Sequence, residues 1–122
     1  MDQPTFNAFC ASLPKTTHVV QWGNADVWKV GGKLFAIGGW NKQTECFGIT
    51  FKVSHMGFEI LPDMPGVRPA PYLASRGMKW VQHYDEPGLS EAELQNHIRA
   101  SYDMIRDKLT KKLKRELGFD AS

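Results

Sequence analysis

The chain has 122 residues, a net charge of +2, 42% hydrophobic and 23% charged residues. At roughly 100–200 residues per domain this is one folded domain, residues 1–122, which excludes a disordered chain and a multidomain machine. No apolar run approaches the ~20 residues of a membrane span, so no membrane segment is expected.

Phe6, Phe9, Cys10 and Leu13 share one apolar face and predict a short helix over 3–13, capped by Asp2 or Thr5 and ended by Pro14. Residues 17–22 read as a strand, with a turn at Gly23-Asn24. Asp26–Val30 and Lys33–Ile37 flank Gly31-Gly32 and predict a tight hairpin, because a primed turn needs positive φ at its centre. Gly38-Gly39 is expected to close that strand, and 40–44 to form a polar loop. The next strand, 45–53, alternates Phe47, Ile49, Phe51 and Val53 with Cys46, Gly48, Thr50 and Lys52. Ser54 caps a predicted short helix over 55–61, and Pro62, Pro65, Pro69 and Pro71 make 62–71 a stiff loop.

Tyr72–Ala74 and Met78–Tyr84 then read as a second hairpin around Arg76-Gly77, followed by a turn at 85–88. Ser90 and Glu93 form a capping box for a final helix. Its stripe runs Leu94, Ile98, Tyr102, Ile105, Leu109, Leu113, Leu117, with Gly118 as the stop.

Helix, grouped strands, helix is an α+β order. The expected architecture is a two-layer sandwich, an antiparallel sheet with the N- and C-terminal helices packed on one face. Alternation then puts Trp28, Val30, Phe47, Ile49, Phe51, Met78, Trp80 and Tyr84 toward the helices. Lys29, Thr50, Lys52, Lys79 and His83 are expected on the open face, with Val27 and Val81 between them. A slip of one residue in any strand reverses its assignment.

Charge is uneven. Residues 106–116 hold six basic and two acidic side chains, which suits either a solvated helix end or a phosphate contact. Cys10 and Cys46 lie in no CxxC pair, so neither a redox motif nor a zinc site is expected. His18, His55, His83 and His97 have no partner at ligand spacing, no serine sits in GxSxG, and no helix opens directly after the Gly pairs as a phosphate loop would need. No catalytic residue, metal or cofactor is therefore expected. Met1-Asp2-Gln3-Pro4 does not begin a secretory leader, and the cytoplasm is the expected compartment.

The run Trp28-Lys29-Val30-Gly31-Gly32-Lys33-Leu34-Phe35-Ala36, with Pro69-Ala70-Pro71-Tyr72-Leu73 and Lys79-Trp80-Val81, resembles the MmcQ/YjbR family. The resemblance spans nearly the whole chain. It implies a fold like that of the bacterial frataxin CyaY, and a proposed DNA-binding role through two β-hairpin wings. The wings correspond here to 26–37 and 72–84. An iron site, which the frataxin likeness invites, is not expected, because the first helix carries only Asp2 and hard cations need clustered oxygens.

The leading expectation is a non-enzymatic domain, monomeric, binding double-stranded DNA through a basic sheet face and its hairpins. Lys29, Lys33, Lys52, Arg76 and Lys79 are the candidate phosphate contacts, with His83 beside them. The alternative is a small-molecule or protein-interaction module that uses the Pro-rich loop and the open sheet face.

Overall fold

The computed structural model describes residues 1–71 and 73–119. Among these it has an antiparallel sheet of six strands and four helices. Helix α1 spans Gln3–Ser12; Asp2 Oδ1 accepts the Thr5 amide at 2.9 Å, and Pro4 occupies the first turn, where no amide is needed. Strands β1 (Thr16–Gln21), β2 (Ala25–Val30), β3 (Lys33–Asn41) and β4 (Cys46–Lys52) follow as a meander. Helix α2 (His55–Ile60) starts at Ser54, whose hydroxyl accepts the Gly57 amide. After β5 (Val67–Pro69) and β6 (Trp80–His83) come α3 (Glu91–Asp107), with the Ser90–Glu93 capping box formed on both sides, and α4 (Lys111–Leu117).

The strand order is β1-β2-β3-β4-β6-β5. α1 and α3 cover one face, burying Phe6 and Cys10 from the first and Leu94, Ile98 and Tyr102 from the second against Trp28, Phe35, Ile49 and Phe51. Phe6 meets Phe47 edge-on at 5.5 Å and Phe35 meets Tyr102 at 5.4 Å, geometries that aromatic quadrupoles favour. A bulge makes the second contact possible. Trp28 pairs with Ala36 but Lys29 pairs with Leu34, so Phe35 is an extra residue and both Phe35 and Ala36 turn into the core.

Four expectations need correction. β3 does not stop at Gly38-Gly39 but continues to Asn41, because Gly38 and Gly39 pair with Ile49 and Gly48 of β4. The partner of β6 is Val67–Pro69, inside the Pro-rich segment, and residues 74–76 form a 3₁₀ turn; Tyr72 of the expected hairpin lies outside the described residues. A strand holding Pro69 is tolerated because β5 is at the sheet edge. The last helix is two helices, since the Thr110 hydroxyl caps a new one by accepting the Leu113 amide at 3.1 Å.

The fourth correction concerns β6, which is one residue out of the expected alternation. Ile49 pairs with His83, Thr50 with Gln82 and Phe51 with Val81. Val81 and His83 therefore turn toward the helices with Phe51 and Ile49. Trp80 and Gln82 take the open face with Lys52 and Thr50. Trp28, Val30, Phe47, Ile49 and Phe51 face the helices as expected.

Candidate functional site

The open face is read off the register. One row crosses all six strands: Val19, Val27, Ile37, Thr50, Gln82, Arg68. A neighbouring row holds Ala25, Gly39 and Gly48, and another holds Lys29 beside Leu34. Among the described residues, no strand position on this face is a carboxylate, while Lys29, Lys52 and Arg68 are cations. The buried acid of the sheet, Asp26, points the other way, holding Gln3 Nε2 at 2.7 Å and His18 Nε2 at 2.8 Å.

A groove of about 860 Å³ runs over this face. Its floor is Ile37, Gly39, Gly48, Thr50 and Gln82. Pro71 and Leu73, from the arm that follows β5, wall one side, and Trp22 and Lys42 stand at the other end; Trp40, paired with Phe47, turns to the helix side beside Asp2 and Pro4. Among the described residues no carboxylate lines it. Arg68 donates Nε–H to Gln82 Oε1 at 2.9 Å while its guanidinium lies 4.3 Å from the Tyr84 ring centroid. That bond fixes the Gln82 amide and leaves its Nε2 toward Gly48, where a Cβ would sit 3.6 Å away.

Trp22 is 64% exposed. Tryptophan usually buries most of its large area, so an exposed one at the groove is informative. Trp22 is also held at φ +54°, followed by Gly23 and Asn24, both at positive φ. A non-glycine residue there costs about 1–2 kcal/mol and persists only where its surroundings fix it.

Cations gather at one end of the sheet. β2 ends and β3 begins at the Gly31-Gly32 turn, and Thr16 pairs with Val30, so Lys15, Lys29 and Lys33 share that end. Lys52, which pairs with Trp80, ends β4 there too. Leu109 and Leu113 pack onto Gly31, where a Cβ would come within 3.2 Å of their methyls, and this brings Lys108, Lys111 and Lys112 to the same end. Burial, and then the charge of Lys108, push the Lys52 ammonium below its ordinary pKa. Asp103 and Asp107 lie near but are engaged by Arg106 at 3.5 and 3.7 Å. The opposite end holds Glu45 in the β3–β4 turn, and Asp85 and Glu86 after β6; burial, and then the charges of Glu86 and Asp85, raise the pKa of the Cys46 thiol.

The structure thus places the expected contacts unequally. Lys29 is half-buried on the open face, and Lys33 is exposed at the hairpin turn. Lys52 is at the basic end, and Arg76 is exposed in the 74–76 turn. Lys79 lies at the same end but on the helix side, its Nζ 5.0 Å from the Phe58 ring of α2. His83 is not on the open face. It is 2% exposed beneath the loop after β6, and among the described residues neither ring nitrogen has a hydrogen-bond partner. Burial lowers its pKa despite Glu86 and Asp85 nearby.

The sequence reading missed Trp22 and Gln82 as site residues, and Lys15 and Lys108 as members of the basic end. Trp22 carried a signal, since it precedes the Gly23-Asn24 turn, where a large apolar residue has no strand partner to pack on.

The YjbR family profile matches residues 11–104, from the end of α1 into α3. The chain belongs to the YjbR family. Among solved structures, it is similar to the Deinococcus radiodurans protein DR2400, a DUF419 domain, with a TM-score of 0.80 at 21% identity over 98% of this chain and 90% of that one. A Pseudomonas syringae protein follows with a TM-score of 0.68 at 19% identity, over 86% of this chain and 99% of that one. At such identities the likenesses speak for the fold of the family alone. A search of curated proteins returns no match. Among the described residues no helix is long and apolar enough to cross a membrane, and no three of His, Cys, Asp and Glu come together as metal ligands would.

Proposed function

We propose that this YjbR-family domain is not an enzyme but binds nucleic acid, taking the phosphate backbone at the basic end of the sheet. The observation that carries the reading is the convergence of Lys15, Lys29, Lys33 and Lys52 with Lys108, Lys111 and Lys112. Like charges held this close repel, and a polyanion relieves the repulsion while releasing its own condensed counterions. Arg76 lies in the turn that precedes β6, and among the described residues no strand position on the open face is a carboxylate to oppose the approach. His83 has no part in it.

The test is fluorescence anisotropy with labelled DNA over a salt series. Saturable binding is expected, with a log–log slope of about −0.7 to −0.9 per phosphate neutralised. Lys29→Ala and the pair Lys111→Ala, Lys112→Ala should each weaken binding to all sequences alike and flatten the slope. Binding that is absent at low salt, or unchanged in both variants, refutes the assignment. The apolar walls of the groove favour a second reading, in which the open face takes a small molecule or a peptide. Binding indifferent to salt would support it.

A further inference from the structure

We propose that the groove on the open face takes the unpaired bases of a single nucleic-acid strand, with Trp22 as a stacking platform. This rests on the nucleic-acid reading above and names the form of nucleic acid. Three independent features of the groove point the same way. A largely exposed indole, that of Trp22, stands on its rim and is held in place by a left-handed backbone. A base offers a π-face to such a ring whatever its sequence.

The floor suits a flat ring with a polar edge. Gly39 faces Gly48 across β3 and β4, so backbone without side chains forms its centre. Next to it lie the Thr50 hydroxyl and the Gln82 amide, the latter turned by Arg68 so that a donor faces the groove. Ring carbonyls and ring nitrogens on a base edge accept from such groups. An aliphatic chain would leave them unpaired.

Charge completes the fit. Among the described residues no carboxylate lines the groove, Lys42 stands at the Trp22 end, and Lys29 lies level with Leu34 at the other, next to the basic cluster. A strand laid along the groove therefore puts bases over the glycine floor and phosphates near cations at both ends. The volume is toward the upper part of the usual ligand-site range of about 300–1,000 Å³, which leaves room for more than one base. In a duplex the bases are stacked and paired, and only their edges reach a groove. Duplex DNA can engage the basic end but not the floor.

The experiment compares a short oligothymidylate with a random-sequence duplex of equal length, by anisotropy and intrinsic tryptophan fluorescence. The single strand is expected to quench the fluorescence and to bind at least about tenfold tighter than the duplex. Trp22→Ala should weaken single-strand binding by roughly 5- to 100-fold and leave duplex binding unchanged, whereas Trp40→Ala, on the other side of the sheet, should leave both unchanged. Gly39→Val fills the floor at a position whose nearest atom is the Ala25 Cβ at 3.8 Å, so it should fold normally by thermal melt and lose the single strand alone. Equal affinities for the two DNAs, or a Trp22 variant that binds the strand like the parent, overturn the groove assignment. If duplex binding then still responds to salt and to Lys111→Ala with Lys112→Ala, the basic-end reading survives. Failure of both DNAs to bind at low salt overturns both. A free thymidine monophosphate that competes at the same affinity as the strand overturns the strand as occupant.

Discussion

Ser101 is a hydroxyl in the middle of an apolar helix stripe, fully buried, and the sheet depends on it. Its Oγ accepts the Lys52 amide at 3.0 Å and donates to the Phe35 carbonyl at 2.7 Å. Ladder pairing of β3 with β4 reaches Ala36–Phe51, and the next rung falls at the Phe35 bulge. The hydroxyl stands in for that rung and ties both strands to α3. Ser101→Ala leaves an amide and a carbonyl without partners in the interior. Each orphan costs about 1–3 kcal/mol, so after partial relaxation we expect a loss of about 2–4 kcal/mol. In a domain of this size that lowers Tm by roughly 10 °C. Urea unfolding followed by tryptophan fluorescence measures it. Ser12→Ala is the control, because that exposed hydroxyl only bonds the Phe9 carbonyl near the helix end and should change stability by less than ~0.5 kcal/mol. A loss below ~0.5 kcal/mol for Ser101→Ala as well would mean that Lys52 and Phe35 close the rung directly, and that the bridge is dispensable.

Three further outcomes follow from packing and charge. His83 and His97 are both held below the ordinary histidine pKa by burial, so the unfolded chain binds more protons below about pH 6.5. Stability should be full above that pH and fall as acid is added down through the folded-state values; an unfolding midpoint that stays flat from about pH 7.5 to 5.5 contradicts this, and His83→Leu should reduce the slope. Gly38→Ala would drive a Cβ into the rings of Phe6 and Phe47, costing about 1–3 kcal/mol by overpacking, readable as a lower urea midpoint. Burial raises the pKa of both thiols, but Cys10 is sealed in the core and Cys46 only half-buried. One thiol should react slowly with a disulfide reagent in native buffer and two should react in denaturant; two reacting natively would show that α1 opens.

Much of the fold was legible because local chemistry and tertiary packing agree in it. Asp2, Ser54 and Ser90 cap where a capping residue precedes an apolar period, and Gly31-Gly32 turns where two strand-like runs meet. Thr110 was equally visible as a cap, but the leucine stripe runs on through Leu109, Leu113 and Leu117, and periodicity alone cannot see a break that keeps the same face buried. β5 was hidden for another reason. Val67-Arg68-Pro69 is too short, and too hemmed by prolines, to announce a strand, and it pairs as one because β6 lends it an edge.

The site was harder to read because it depends on register, which no single strand contains. Met78, Trp80 and Tyr84 form a plausible apolar face, and Val81 with His83 a mixed one. Burial pattern cannot choose between them when Trp80, Val81 and His83 are all nearly inaccessible. The choice is made across the ladder, where Phe51 and Ile49 already face the core and their partners Val81 and His83 must follow. The slip moves an imidazole from the supposed interface into the interior and brings out Gln82 in its place. A cationic candidate is thus replaced by a neutral amide whose orientation is set by Arg68. The open face reads accordingly as two regions joined by Lys29, a charged end that suits phosphate and a glycine-floored groove that suits a ring.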